Sequence, residues 1–496
     1  MRRQLVLSSL PVWLAFLGPL AIYVASLSPA VAYWDTGEEQ TVPTILGIAH
    51  PTGFPLFVLA GWLFAHGVVL QTPAWRIGLM SAVAMALAAR NVAVLVRSFD
   101  VDACVAAAAA LVFALGNVAW SRGSRAEVHA LAIMFETFAL LAAVRFHRSG
   151  RRSALRWCVL ALGLSLATHT VTALVVPGLA LIAAKQWRTI DLPLALQSFG
   201  ILALCGSLYL YLPLRSAAVS AARLDPTLSI GVPPGRPFWD YDHPASLAGF
   251  VREVFGGDFD VDDGLRAIVS VGQYPSELLR FVRLAVAETG PIAFGAGVVG
   301  LGFVLREEPW LGAGLLVTAG LIVPFATNYR ALADIDRWFL LAYWLVCACA
   351  AIGVARVMPA YLQERSALAT ALSGLVLGAL AFGLLRDNAS IFAQRSSPQA
   401  EPFVERVLKN TPPNAIVVAY WTFATPLAYA AFVQHRLAGR IVETQWIEDD
   451  ARYLPRWVGP GKRPVIAVAD RMPHVAGFRF MPVGASGLPM LLRVTR

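Results

Sequence analysis

Long apolar runs constrain this chain more than any other feature of its sequence. They recur from the N-terminal residues almost to Leu385, and each has about the ~20 residues that an α-helix needs to cross ~30 Å of hydrocarbon. Only 14% of the 496 residues are charged, whereas soluble proteins carry about 25%. The sequence therefore excludes a disordered chain and a large soluble enzyme. It predicts an all-α polytopic membrane protein.

The apolar runs predict eleven membrane-spanning helices. They lie near residues 8–30, 77–96, 101–119, 128–146, 154–169, 171–185, 192–212, 286–305, 310–326, 337–356 and 366–385. The start of the chain imitates a secretory signal, but its apolar stretch is long for one, so we expect it to be the first span. A further apolar segment, 54–70, either spans the membrane or lies in its plane.

Positive charge in the loops decides between these two arrangements, because Arg and Lys accumulate on the cytoplasmic side. With segment 54–70 in plane, the short loops hold thirteen Arg and Lys inside and five outside; with it spanning, they hold seven and eleven. We therefore predict an in-plane helix, a cytoplasmic N-terminus and an extracytoplasmic C-terminus, in a bacterial inner (plasma) membrane. The same loops account for the net charge of +9, so no nucleic-acid partner is expected.

Two domains follow from this topology. Residues 1–385 form the transmembrane domain, with outer loops at 31–76 and 213–285. Residues 386–496 form a small extracytoplasmic α/β domain, because β-rich runs alternate there with helical stretches. The predicted strands are Asn414–Tyr420, Arg440–Glu443, Val465–Val468 and Met490–Val494, and the predicted helices are Pro402–Lys409 and Pro426–Arg436.

Three carboxylates, Asp35, Glu38 and Glu39, lie directly outside the first predicted span. Asp35 and Glu38 are three residues apart, so one helical turn brings them to the same face. A carboxylate at a partly desolvated interface can act as a general base towards a hydroxyl. The alternative is a capping box, in which Asp35 caps a helix and Glu38 occupies its third position.

Further polar residues collect at the outer ends of the predicted spans. They are His50, Arg76, Arg122, Arg125, Glu127, His129, His169, Tyr211, Arg215, Asn328, Tyr329, Arg330, Asp334, Asp336 and Arg337. Taken singly, each is a snorkelling anchor or a member of a local ion pair. Together, arginines beside a carboxylate base suit a phosphate leaving group at the membrane surface.

Two motifs resemble those of a known family. Trp34-Asp35-Thr36-Gly37-Glu38 and His50-Pro51-Thr52-Gly53-Phe54-Pro55-Leu56 resemble the W-D-x-G-E and H-P-P-G-Y-P-L pair of the protein O-mannosyltransferase-like branch of GT-C membrane glycosyltransferases. The resemblance covers roughly the first 350 residues, by motif order rather than continuous identity. Thr52 replaces the second proline of the family pattern, and Trp239-Asp240-Tyr241-Asp242 stands where W-G-D-P is common.

The resemblance implies a GT-C fold and a polyprenyl-phosphate monosaccharide donor, with mannose favoured. It implies that Asp35 is the base towards an acceptor hydroxyl of a protein or glycan, with Glu38 as its catalytic partner. Arg76, Arg125 and Arg330 would hold the leaving phosphate. The residues that order the substrates would be His50, Glu127, His129, His169, Arg215, Asn328, Tyr329 and Asp334.

Other functions stay open at this point. The first alternative is a secondary transporter or lipid flippase, although such proteins usually show internal repeats and charges near the bilayer midplane. The second is a scaffold that displays the C-terminal domain. No cofactor is required by the sequence, and a divalent metal is possible but not indicated, because no ligand spacing demands one.

Overall fold

The computed structural model describes residues 10–257, 261–327, 335–362, 366–484 and 487–496. Helices dominate it. The α-helices are Leu10–Ser26, Trp34–Ile45, Pro55–Gly67, Pro73–Arg97, Ala103–Leu115, Asn117–Gly123, Val128–Ser149, Arg152–Thr168, Val176–Ala184, Leu192–Gly206, Tyr211–Ala222, Leu247–Phe255, Val261–Val269, Tyr274–Thr289, Pro291–Glu307, Pro309–Thr327, Leu340–Tyr361, Ser366–Asp387, Glu401–Asn410, Trp421–Phe432 and Leu454–Trp457. Short 3₁₀ turns lie between several of them, among them Thr170–Val175 and Ser207–Leu210.

The chain forms two compact units. The helical unit comprises Met1–Leu27, Leu79–Leu208 and Asp258–Ala393. The mixed unit comprises Ser28–Gly78, Tyr209–Gly257 and Gln394–Arg496. The mixed unit therefore groups most of both predicted outer loops with the C-terminal sheet.

The number of helices that can span a membrane differs from the prediction of eleven. Among the described residues, six helices are long and apolar enough to cross a membrane, or eight if each of two bent pairs counts as one span. Three of the eleven predicted spans, 8–30, 154–169 and 171–185, do not qualify, because the helices found there are shorter: Leu10–Ser26, Arg152–Thr168 and Thr170–Ala184. The chain is an integral membrane protein, and its orientation stays a prediction.

Two of the predicted spans are broken. The predicted span 101–119 contains a 74° bend between Ala103–Leu115 and Asn117–Gly123. The predicted span 286–305 starts inside a helix that ends at Thr289 and bends by 116° into Pro291–Glu307. The Glu288 carboxylate accepts the backbone N–H groups of Val118 (2.9 Å) and Ala119 (3.2 Å). It thus satisfies donors that the break in the first helix leaves without an intrahelical partner.

Small residues allow close packing within the helical unit. Pro291–Glu307 lies against Leu340–Tyr361 through facing glycines, so closely that a Cβ on Gly300 would meet the carbonyl oxygen of Cys349 at 1.8 Å. Such contacts are typical of helix pairs in membranes, where van der Waals packing drives association.

The helix Pro55–Gly67 corresponds to the segment predicted to lie in the membrane plane. Its 13 residues make it about 20 Å long at 1.5 Å per residue, which is less than the ~30 Å of a bilayer core. A single crossing by this helix alone is therefore unfavourable, in agreement with the charge count in the loops.

The C-terminal residues form a five-stranded sheet in the order β2-β1-β3-β5-β4. Its strands are β1 Ile416–Ala419, β2 Ile441–Thr444, β3 Val465–Ala469, β4 Arg479–Pro482 and β5 Met490–Thr495. Strands β2, β1 and β3 are parallel and wholly buried, as expected for a parallel sheet covered on both faces. The predicted α/β architecture and four predicted strands are confirmed, and β4 was not predicted.

Candidate active site

The first motif forms the start of the helix Trp34–Ile45. Asp35 lies in its first turn, where the helix dipole favours negative charge. Tyr33 occupies the N-cap position, and no side chain caps the helix there. The alternative in which Asp35 acts as the N-cap of a capping box is therefore wrong. Asp35 is half-buried.

The carboxylate of Asp35 is held by a residue from the far end of the chain. The indole Nε1–H of Trp421 donates a hydrogen bond to Asp35 Oδ1 over 2.9 Å. The Trp421 ring stacks on Phe238 with centroids 5.9 Å apart and meets His50 edge-to-face at 5.8 Å. These contacts fix the indole, and the indole in turn fixes the orientation of the Asp35 carboxylate.

Glu38 pairs with His50, which brings the two motifs together. The Glu38 carboxylate accepts the backbone N–H of His50 over 2.7 Å and also contacts the His50 Nδ1 atom. Burial raises the pKa of Glu38, the neighbouring Asp35 raises it further, and His50 opposes both effects. Glu38 is fully buried, so the structure supports a role in positioning His50 and the second motif rather than direct contact with substrate.

The C-terminal end of the same helix is held by Tyr211 and Arg215. The Tyr211 hydroxyl donates to the carbonyl of Gly47 over 2.8 Å, and the Arg215 guanidinium donates to the carbonyls of Leu46 and Ile45. These carbonyls lie where a helix leaves its last acceptors unsatisfied. Arg215 therefore anchors the helix that carries Asp35, and its predicted role in ordering a substrate stays a prediction.

Arg76, one of the three predicted ligands of the leaving phosphate, contacts the backbone around it. Its guanidinium donates to three backbone carbonyls, those of Ala65 (2.7 Å), Leu70 (2.8 Å) and Gln71 (2.9 Å). It closes the turn after the helix Pro55–Gly67. The sequence shows that position 76 carries a cation, but it does not show that backbone carbonyls nearby accept hydrogen bonds from its guanidinium.

A second polar cluster lies in the helical unit, around Glu127. Its carboxylate contacts His129 Nδ1 at 2.8 Å, Arg122 at 3.3 Å and Arg125 at 3.4 Å. Burial alone would raise the pKa of Glu127, but Arg122 and His129 hold it at about 2. The His129 and His169 rings lie 4.8 Å apart. The structure thus brings together four of the predicted residues and adds Arg122.

The indole of Trp338 packs against both histidines of this cluster, at 5.5 Å from His129 and 5.4 Å from His169. The buried Arg122 also reaches Asp336 over 3.4 Å. Four predicted site residues lie outside the described residues: Asn328, Tyr329, Arg330 and Asp334. Within the described ranges, no group of three His, Cys, Asp or Glu side chains has the arrangement that a metal ion needs.

Sequence reasoning missed Trp421 because 386 positions separate it from Asp35. One signal was available: Tyr420 and Trp421 directly follow the buried strand β1, and the carboxyl ends of parallel strands commonly carry binding residues. Phe238 was also missed. Its backbone pairs with Ile48, next to the second motif.

The fold defines the class of the protein. The chain is similar to ArnT from Cupriavidus metallidurans bound to undecaprenyl phosphate, with a TM-score of 0.57 and 12% identity over 97% of each chain. The apo state of the same protein gives a TM-score of 0.53. At this identity the likeness shows the fold alone. The predicted GT-C-like membrane fold is confirmed.

Sequence matches point to the same relatives as the two motifs. Residues 35–190 match the N-terminal domain of protein O-mannosyl-transferase TMEM260. The mouse protein O-mannosyl-transferase TMEM260 is 24% identical over 425 residues, which are 81% of this chain and 58% of the mouse protein. Its Dictyostelium discoideum counterpart is 28% identical over 137 residues, 27% of this chain and 17% of that one.

The chain thus spans little more than half the length of the mouse relative. The resemblance to the O-mannosyltransferase-like branch, predicted from the two motifs, is confirmed by these matches. The matched segment begins at Asp35 and contains the rest of the first motif, the whole second motif, and Glu127, His129 and His169.

Proposed function

We propose that this chain is a membrane glycosyltransferase that moves one monosaccharide, mannose by analogy, from a polyprenyl-phosphate donor to an acceptor hydroxyl. The acceptor is a protein Ser or Thr side chain or a glycan, and the reaction takes place on the extracytoplasmic side of a bacterial plasma membrane. One observation carries the proposal: the half-buried Asp35 carboxylate, fixed by the Trp421 indole at 2.9 Å, in a chain whose relatives are named O-mannosyl-transferases.

Asp35 acts in this proposal as the general base. Its Oδ1 atom accepts the hydrogen bond from Trp421, which holds the carboxylate in one orientation, and the carboxylate takes the proton of the acceptor hydroxyl. The hydroxyl oxygen forms a bond to the anomeric carbon, and the bond from that carbon to the phosphate oxygen breaks. A single displacement of this kind inverts the anomeric configuration. The polyprenyl phosphate leaves with the electron pair.

Other residues support Asp35 rather than share its chemistry. Glu38 holds His50, and Arg215 holds the helix that carries Asp35. General-base help contributes about 10²–10⁴ in rate, so charge stabilisation of the departing phosphate must supply much of the rest. Arg76, Arg125 and Arg330 stay our predicted ligands for that phosphate.

Mass spectrometry of exported proteins tests the proposal in cells. Cells that lack the chain should lose the mass of one hexose from specific exported proteins, and the wild-type chain should restore it. The Asp35→Asn variant should not restore it. Asp387→Asn is the matched control, because Asp387 is exposed at the end of its helix. Restoration by Asp35→Asn as complete as by Asp387→Asn would remove Asp35 from the mechanism.

A further inference from the structure

Two pairs of neighbouring residues meet beside the proposed base. Trp34 precedes Asp35, and Tyr420 precedes Trp421. Asp35 accepts the hydrogen bond from Trp421, while the Trp34 and Tyr420 rings meet edge-to-face with centroids 6.5 Å apart. The residues directly before Asp35 and Trp421 thus also contact each other, and both carry aromatic rings.

The Trp34 side chain is held outward at an energetic cost. Its backbone lies in the left-handed region, with φ of 58°, which is uncommon for a bulky residue. Strain of this kind persists only where the surroundings enforce it, and it concentrates at functional sites. The side chain is nevertheless 54% exposed. Burial of the indole therefore does not explain the strained backbone.

A third ring extends the surface. Trp446 lies parallel to Tyr420, with an interplanar angle of 13° and centroids 4.2 Å apart. Both rings are partly exposed. We call Trp34, Tyr420 and Trp446 the aromatic platform. Asp35 lies at one side of the platform, and the partly exposed Glu448 and the exposed Asp449 follow Trp446 by two and three residues.

We propose that the aromatic platform binds a pyranose ring. A pyranose has one face of C–H groups, which packs on aromatic rings, and a rim of hydroxyls, which donate hydrogen bonds to carboxylates. Binding sites commonly pair aromatic surface with a few placed polar groups in this way.

The sugar has two possible sources, the monosaccharide of the donor and a glycan on the acceptor. The inference rests on the proposed function in one respect: that function places the reacting sugar at Asp35, beside the platform. Its test does not depend on turnover, because binding is measured with the full-length Asp35→Asn chain in lipid nanodiscs. If Asp35→Asn still transfers sugar at the wild-type rate, the proposed function fails, while the binding result stands separately.

The experiment measures the affinity of this chain for three probes by saturation-transfer NMR. The probes are methyl α-mannoside, polyprenyl-phosphate mannose compared with polyprenyl phosphate, and a mannosylated peptide compared with the bare peptide. Trp34→Ala and Trp446→Ala should weaken the sugar-dependent part of binding by about three- to tenfold. Trp34→Phe retains an aromatic ring, so its affinity for the sugar-bearing probes should fall less than that of Trp34→Ala. Trp187→Ala is the control, because Trp187 is 65% exposed and lies in the helical unit.

Each outcome decides the matter. If Trp34→Ala and Trp446→Ala lose affinity for polyprenyl-phosphate mannose, the platform binds the donor sugar. If they lose affinity only for the mannosylated peptide, the platform binds an acceptor glycan. Both support the inference. Unchanged affinity for every sugar-bearing probe in Trp34→Ala and Trp446→Ala would overturn it, and so would an equal loss for the bare and the mannosylated peptide. Thermal unfolding of each variant confirms that it is folded.

Discussion

The hydrogen bond from Trp421 to Asp35 makes the most specific prediction. Trp421→Phe removes the Nε1–H donor but keeps a six-membered ring among Phe238, Tyr241 and His50, which surround the indole. The variant therefore tests the hydrogen bond with little change in packing. A hydrogen bond to a charged group contributes about 1.5–3 kcal/mol, and ~1.4 kcal/mol corresponds to tenfold in rate.

If the indole orients the base, Trp421→Phe should lower kcat by about ten- to a hundredfold, with a smaller change in KM. The assay is transfer of labelled sugar from polyprenyl-phosphate mannose by the purified chain at saturating donor. Trp457→Phe is the matched control, because the Trp457 indole donates to the carbonyl of Ile230 over 2.8 Å in the same unit. Equal losses of kcat in the two variants, or a kcat within twofold of wild type in Trp421→Phe, would refute the reasoning.

Two further predictions concern the mixed unit. Gly37→Ala should destabilise the chain by about 1–3 kcal/mol, because the new Cβ would lie 2.5 Å from the carbonyl oxygen of Ala32. Thermal unfolding measures this loss. Gly67→Ala is the control and should leave the stability unchanged, because a Cβ there would have nothing within 4 Å. Burial raises the pKa of Glu443 from 4.5 to about 8, against the influence of Arg236. The native state therefore keeps a proton that the unfolded state loses, so stability falls as pH rises from 4.5 to 8, by at most about 5 kcal/mol. Glu443→Gln should reduce the fall in Tm between pH 5 and pH 8, and an undiminished fall would contradict this reasoning.

Features that depend on residues close together in the sequence could largely be predicted. Asp35 and Glu38 are three residues apart, and the structure places them on one helix, close enough for the charge of Asp35 to raise the pKa of Glu38. Apolar runs likewise predicted the positions of the long apolar helices and four of the five strands, because both depend on neighbouring residues. The short β4 has mostly exposed residues, so it lacks the apolar run that marked the others.

What could not be predicted depends on long-range contacts. The charge pattern predicted Arg76 and Arg215 near the outer surface, but it did not predict that both guanidinium groups donate to backbone carbonyls. The bend at Gly116 was also missed, because hydropathy is continuous across it while Glu288, far along the chain, accepts the freed N–H groups. The contact between Trp421 and Asp35 depends on the fold of the C-terminal residues, since Trp421 lies directly after strand β1.

The most direct test of the central claim is sugar transfer by the purified full-length chain under single-turnover conditions. The wild-type chain should move labelled mannose from its polyprenyl-phosphate donor to a Ser/Thr-containing acceptor peptide or a glycan. Asp35→Asn should be slower by about 10²–10⁴, with unchanged thermal unfolding, and Asp387→Asn should match the wild type. Transfer by Asp35→Asn at the wild-type rate would contradict the account.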